Sequence, residues 1–461
     1  MSRLDLPDRC FHGLIPAMIA TCSKDGVPNV TYLSQVFRID ERHVALSCQF
    51  FNKTKQNVLE VPFATVELLD PVTLDAFRLA LRYDHSETSG PLFEQMDLRI
   101  EAIASQTGMK GVFKLIAADV YELLGCERRA DFLTPAPAES VVVEEPAPGP
   151  RSELKSLQLI SQRTCRAPSL ESLLTATLST LDEALGFTYS MVLLPDEAGK
   201  RLFTVASRGY GEEGVGAELE MGEGLIGTAA LQQKVLCISG MEAELRYGRA
   251  IRSSAQHGGV RREIRPEIPL PGLPDAQSLL VLPLVANGRL VGVLVAESRE
   301  RMGFEGWDEA FLEIVANQCA VAFDNALLRE GSEEHESEPV PVSRLPSVPE
   351  VSARRFRFYR NDDCVFVGDD YLIRNVPGRI LWKILRSYRD SGRTDFSNRE
   401  LRLDPWLGLP PVRDNLESRL VLLRKRLEQK VPELRLVPTS RGHFRLETSC
   451  QLTLEETEGS A

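Results

Sequence analysis

Short extended runs, mainly apolar, mark the first part of the chain: Val30 to Ile39, Val44 to Phe51 and Phe63 to Leu69. Three such runs in succession, with turn residues between them, predict the strands of a meander or barrel. Asp25-Gly26 with Pro28 supplies one turn and Asp40-Glu41-Arg42 the next, while Val112 to Leu123 reads as a late strand. Leu92, Met96, Ile100 and Ile103 form one stripe and predict a helix over Pro91 to Thr107. A compact, mainly β unit is expected.

After Ser152 the spacing lengthens to three and four, with Leu154, Leu157 and Ile160 followed by Leu170, Leu173, Leu174, Leu178 and Leu181. Strand-like runs follow at Thr188 to Leu194, Leu202 to Ser207, Val235 to Ser239, Leu279 to Val285 and Leu290 to Glu297. A closing helix carries Trp307, Phe311, Ile314, Val315 and Ala322 on one face. Helices before and after a hairpin-rich antiparallel sheet predict an α+β sandwich. Met241 to Gln277, polar and rich in Arg, Gly and Pro, is expected to be a mobile loop over that sheet.

The last hundred residues change pattern again. Strand-like Phe356 to Tyr359, Cys364 to Val367 and Tyr371 to Arg374 lead into a helix from Pro377, whose buried side is Ile380, Leu381, Ile384, Leu385 and Tyr388. A short helix near Asn398 to Leu403, a long one over Val412 to Gln429 and a hairpin turned at Ser440 to Gly442 follow. On the long helix Leu416, Leu420, Leu423 and Leu427 face the core. The opposite side presents Asp414, Ser418, Val421, Leu422 and Lys425, and the Val421-Leu422 pair is expected to be exposed.

Composition divides the chain at two stretches rich in Pro, Glu, Ser and Ala, residues 130 to 150 and 331 to 350. Such segments cannot bury enough apolar surface to offset chain entropy and read as linkers. Domains are therefore expected at 1 to 129, 151 to 330 and 351 to 448, with a disordered acidic tail over 449 to 461. Three domains suit 461 residues. Charge is unevenly spread. Val351 to Glu447 carries 21 Lys or Arg against 13 Asp or Glu, a balance of +8 in a chain of −12, which leaves −20 for the rest. A basic segment on an acidic body nominates this end for nucleic acid. No apolar run approaches the ~18 residues needed to cross a bilayer, and MSRLDLPDRC lacks a signal-peptide core, so no membrane partner is expected. Nine cysteines without a C-x-x-C pair disfavour a disulfide framework and a metal site, and point to a cytoplasmic home.

The chemically suggestive stretch is Asn52-Lys53-Thr54-Lys55-Gln56-Asn57, where a strand ends and a helix begins. Thr54 could cap a helix whose free N–H groups, with two lysine ammoniums, would hold a phosphate. The run GVPNVTYLSQVFRIDERHVALSCQFFNKTKQNVLEVPFATVEL resembles the FMN-binding split barrels related to pyridoxamine 5'-phosphate oxidase, through its D-G-x-P-x-V hairpin and K-[TR]-x-N turn, over about Leu14 to Leu124. The resemblance implies an FMN phosphate at Lys53, Thr54 and Asn57, with Ser47 and Gln49 at the strand edge, and a homodimer. Val61-Pro62 departs from the family's Asn-Pro. No catalytic constellation stands out, so any chemistry would be the flavin's.

The phrases GEGLIGTAALQQKV, LLVLPLVANGRLVGVLVAES and FEGWDEAFLEIVANQCAVAFDNA are similar to a GAF domain over 154 to 330, which implies a small-molecule ligand of unknown identity. Phe304, Asp308 and Glu309 match the cyclic-nucleotide pattern, but Glu297-Ser298 stands where its Asn-Lys pair belongs. Cys237, in an apolar strand, reads as an inert buried thiol. At the end of the chain, Leu423-Arg424-Lys425-Arg426-Leu427 and Thr439-Ser440-Arg441-Gly442-His443-Phe444-Arg445 resemble the winged helix-turn-helix output domains of response regulators. That likeness implies DNA contacts from Arg413, Asn415, Arg419, Lys425, Arg426, Arg441 and His443, with base readout falling to Asn415 and Arg419. The expected whole is multidomain: a mainly-β split barrel, then an α+β GAF sandwich, then a winged helix. A ligand- or redox-responsive DNA-binding regulator is the leading expectation, an FMN-dependent oxidoreductase with regulatory domains the alternative, and a protein-binding scaffold the third.

Overall fold

The computed structural model describes residues 3–33, 35–49, 53–112, 114–129, 152–167, 169–196, 198–210, 217–257, 265–268, 270–304, 306–332, 353–361, 363–407, 409, 416–440 and 442–457. After a 3₁₀ turn at Asp8–Phe11 come β1 (Ala17–Cys22), β2 (Pro28–Leu33), β3 (Val36–Arg38), β4 (His43–Cys48), α1 (Lys53–Glu60), β5 (Phe63–Leu69), β6 (Ala76–Glu87), α2 (Pro91–Gln106) and β7 (Ala117–Arg129). The middle of the chain forms α3 (Ser152–Arg166), α4 (Leu170–Leu185), β8 (Tyr189–Pro195), β9 (Arg201–Arg208), β10 (Glu218–Glu220), α5 (Gly224–Gln232), β11 (Leu236–Ser239), α6 (Met241–His257), β12 (Ser278–Ala286), β13 (Arg289–Ser298) and α7 (Gly306–Ser332). Last come β14 (Ala353–Tyr359), β15 (Cys364–Val367), β16 (Asp370–Ile373), α8 (Asn375–Ser391), β17 (Asp395–Ser397), α9 (Asn398–Leu403), α10 (Leu416–Lys430), β18 (Leu434–Ser440), β19 (His443–Thr448) and β20 (Gln451–Thr457). Tertiary contacts group these into two units, one of residues 1–155, 220–283 and 295–315, the other of 156–219, 284–294 and 316–461.

The first unit is built on a seven-stranded antiparallel sheet of order β2-β1-β5-β6-β7-β4-β3. Its two edge strands, β2 and β3, are separated by only Ser34 and Gln35, a span of about 11 Å at most. Edges that close together force the sheet to curl on itself. Alternation sorts the two faces: Val44 and Leu46 point into one core with Ile19, Val66 and Leu79, while Ala45 between them packs beneath α2 with Met96, Ile100 and Ala118. The expected run Val30 to Ile39 is thus two strands at opposite edges, and β1 and β6, not anticipated, lie inside the sheet. In the same unit α2 packs against α5 and α6.

Where a mobile loop was expected after Met241, residues 241–257 form α6. Met241 and Leu245 are buried, and Gly248 meets α2's end closely enough that an added Cβ would stand 2.8 Å from Thr107 Cγ2. Tertiary contact stabilises a helix whose composition is polar.

Of the strands in the middle of the chain, β11 pairs antiparallel with the start of β12 in the first unit, and β8 with β9 in the second. In the second unit Ser169 caps α4 through a reciprocal pair with Ser172, and Gly186 ends it in the left-handed region. The C-terminal part of that unit has a four-stranded sheet, β16-β15-β14-β20, a three-stranded sheet, β17-β19-β18, and helices α8 to α10 around a core in which Phe358 stacks on Trp382 at 5.2 Å. The tail expected to be disordered instead supplies β20, parallel to β14 from Ala353↔Gln451 to Tyr359↔Thr457. Leu452 and Leu454 pack on the core, which explains why an acidic segment is held there.

Candidate functional site

The turn from β4 to α1 places the five residues expected to hold a phosphate. Residues 50–52, including Asn52, lie outside the described residues. Helix α1 begins at Lys53, so Thr54 lies inside its first turn and not at its cap. Lys53 is exposed beside the first-turn N–H groups. Thr54 Oγ1 accepts from Asn29 Nδ2 at 2.9 Å, which leaves its own O–H able to donate. Asn57, only 3% exposed, donates from Nδ2 to Thr21 Oγ1 at 3.1 Å and ties α1 to β1. At the end of β4, Gln49 Nε2 donates to Ser47 Oγ at 3.2 Å.

The second lysine of the turn has a different task. Lys55 Nζ lies 2.6 Å from Asp119 Oδ1 and 2.6 Å from Ser86 Oγ, and 4.5 Å from the centre of the Tyr83 ring. Burial alone would lower its pKa, but the hydrogen bonds to Asp119 and Tyr83 outweigh that and raise it. Its charge is compensated within the sheet, so Lys53 is the ammonium of this pair left facing solvent. Lys53 and the Thr54 hydroxyl are thus donors at the start of α1, with Ser47 and Gln49 adjoining in sequence. Asn57 fits a structural role better than a ligand role.

A second constellation, unforeseen from sequence, lies in the first unit where α2 ends. Helix α5 has no side-chain cap of its own; Ser105 Oγ accepts from Gly224 N at 2.9 Å and Gln106 Oε1 from Leu225 N at 3.0 Å. Ile268 N donates to Gln106 O at 3.0 Å, and Gly108, at φ +71°, passes so near Arg265 that a Cβ there would lie 2.1 Å from its carbonyl oxygen. Arg99 and Glu244 form an ion pair at 2.8 Å, largely buried. Near it, burial pushes the Cys237 thiol up to about 12, in keeping with an inert thiol. Glu297, 3% exposed, accepts from Leu273 N at 2.7 Å, a structural use of the position that departs from the cyclic-nucleotide pattern.

Of the residues expected to contact DNA, Arg413, Asn415 and Arg441 lie outside the described residues. Arg419, Lys425 and Arg426 fall on α10 and are half-buried, and His443 lies on β19 opposite Ser397 and Ser440. Burial lowers the Lys425 pKa against the opposing influence of Glu171 and Glu428. The expectation that Val421 and Leu422 are exposed is corrected, since they are 0% and 5% exposed. The cause is that α10 packs on two sides within the second unit, against α8, α9 and β18 and also against α4 and β9.

Comparison with known proteins bears on the middle of the chain. The sequence profile of the GAF domain matches residues 169–323. No curated protein matches by sequence. Among solved structures, the GAF domain of a phosphoenolpyruvate-protein phosphotransferase from Coxiella burnetii is similar at 24% identity, covering 39% of this chain and 96% of its own, with a TM-score of 0.32. Free methionine-R-sulfoxide reductase from Neisseria meningitidis is similar at 18% identity, covering 38% and 91%, with a TM-score of 0.30. An FMN-binding protein from Syntrophomonas wolfei matches at 16% identity over 26% and 84%, with a TM-score of 0.22. Residues 169–323 of the chain are a GAF domain.

Proposed function

We propose that the chain is a ligand-responsive, DNA-binding regulator, with the GAF domain as sensor and the C-terminal segment, read as a winged helix, as output. The observation that carries this reading is the GAF domain at 169–323, followed by a segment that holds +8 of charge in a chain of −12. The order of strands, three helices and the β18–β19 hairpin supports a winged helix, with Arg419, Lys425 and Arg426 on its last helix. In the same reading the curled N-terminal sheet is an FMN-binding split barrel. Lys53 and Thr54 would hold the phosphate there, and FMN would supply redox chemistry when bound. Neither activity nor turnover is assigned to it.

A homodimer fits the exposed apolar face of β1 and β2, where Tyr32 is 74% and Val30 65% exposed and Met18 pairs with Tyr32. Among the described residues no helix is long and apolar enough to cross a membrane. The flavin part is tested by the visible spectrum of the purified chain before and after addition of FMN. A flavin band retained through gel filtration and weakened by Lys53→Ala is expected. A chain that leaves added FMN unchanged would remove the cofactor and leave the GAF domain as the sensing part.

A further inference from the structure

We propose that the GAF domain masks the outward face of α10, so that freeing this face is the regulated step. The proposal rests on the reading above, in which α10 is the helix that meets DNA. Leu416, Leu420, Leu423 and Leu427 fill the C-terminal core from one side of the helix. On the other side, where a recognition surface would be open, Ser418 is 6% and Val421 0% exposed. Val421 is not among the residues of that core, so it is buried by something else.

The cover comes from α4 and β9, both packed on α10 within the second unit. Arg424, its side chain 11% exposed, reaches Glu171 of α4 at 3.3 Å while also holding Glu417 at 2.9 Å. A second link joins Arg374, at the start of α8, to Glu218 of β10, with Nε 2.9 Å from Oε1. Both links set a GAF-side carboxylate against a cation of the basic segment. Carboxylates there satisfy charges that phosphates would otherwise engage, and they must leave before a polyanion can bind. A GAF ligand would then act by favouring the arrangement in which α4 and α10 are apart.

The test is acetylation of Lys425 by an N-hydroxysuccinimide ester in the full chain, read by mass spectrometry against Lys200, which is exposed. Labelling of Lys425 roughly tenfold slower than Lys200 is expected in the wild type, approaching Lys200 in the Glu171→Lys, Glu218→Lys double variant. Circular dichroism verifies that the variant is folded. Affinity for a mixed-sequence duplex should rise with the labelling. Faster labelling without duplex binding would uphold the mask and overturn the DNA reading. Wild-type Lys425 as reactive as Lys200, or a double variant with unchanged labelling, would overturn the mask.

Discussion

Asp70 shows what a single buried carboxylate contributes. It is 1% exposed, takes Arg9 Nε at 2.8 and 3.0 Å, and accepts from Val72 N at 2.8 Å and Thr73 N at 3.3 Å. Burial alone would raise its pKa, but Arg9 and these N–H groups hold it below the ordinary 3.8. A carboxyl lowered by folding stabilises the fold above its unfolded pKa and loses that contribution as pH falls through the folded one. Asp70→Asn should therefore cost ~1–3 kcal/mol at neutral pH in urea unfolding. The gap from wild type should close as the pH is taken below 3.8. A pH-independent gap would show that the charge is not what matters. Asn57 and Lys53 separate structural from ligand roles in the same way. Asn57→Ala should lower stability by ~1–2 kcal/mol through the lost bond to Thr21. Lys53→Ala should leave stability within ~0.5 kcal/mol and weaken FMN binding roughly tenfold. Lys53 and Lys55 look alike in the sequence. Only the sheet register, which sets Asp119 on β7 within reach of Lys55, distinguishes them.

At the scale of elements, strong periodicity was legible and tertiary support was not. The stripes of α2, α4 and α8 and the strand runs of β4, β5 and β12 stand where the pattern places them. Helix α6 was hidden because its stabilising contacts come from α2, and Gly248, which weakens a helix by propensity, is what permits the approach. Strand β20 was hidden by its acidic composition, although Leu452 and Leu454 alternate. Truncation after Ser449 should expose the edge of β14 and lower stability by ~2–4 kcal/mol, with aggregation on heating. An unchanged melting temperature would make β20 dispensable. The capping of α5 by Ser105 and Gln106 was illegible for another reason: both types ordinarily face water, yet each is 3% exposed. Gln106→Ala should cost ~1–2 kcal/mol and speed amide exchange at Leu225, which hydrogen-exchange mass spectrometry would detect.

For the whole molecule, the uneven charge is the feature on which the proposed link between sensing and output rests. An acidic body carrying −20 and a terminal segment carrying +8 attract each other, and the ion pairs of Arg424 with Glu171 and Arg374 with Glu218 are local expressions of that attraction. Sequence alone located the charge and the long helix. It could not show that Val421 is buried, because a helical wheel identifies the core side but not what covers the other. The most direct measurement is the affinity of the full chain for duplex DNA as a function of salt, by fluorescence anisotropy. The account predicts that the Glu171→Lys, Glu218→Lys variant binds more tightly than the wild type, that its binding weakens steeply between about 50 and 200 mM salt as phosphate contacts release counterions, and that Arg419→Glu weakens it further. Absence of binding at low salt, in the wild type and in the Glu171→Lys, Glu218→Lys variant alike, would contradict it.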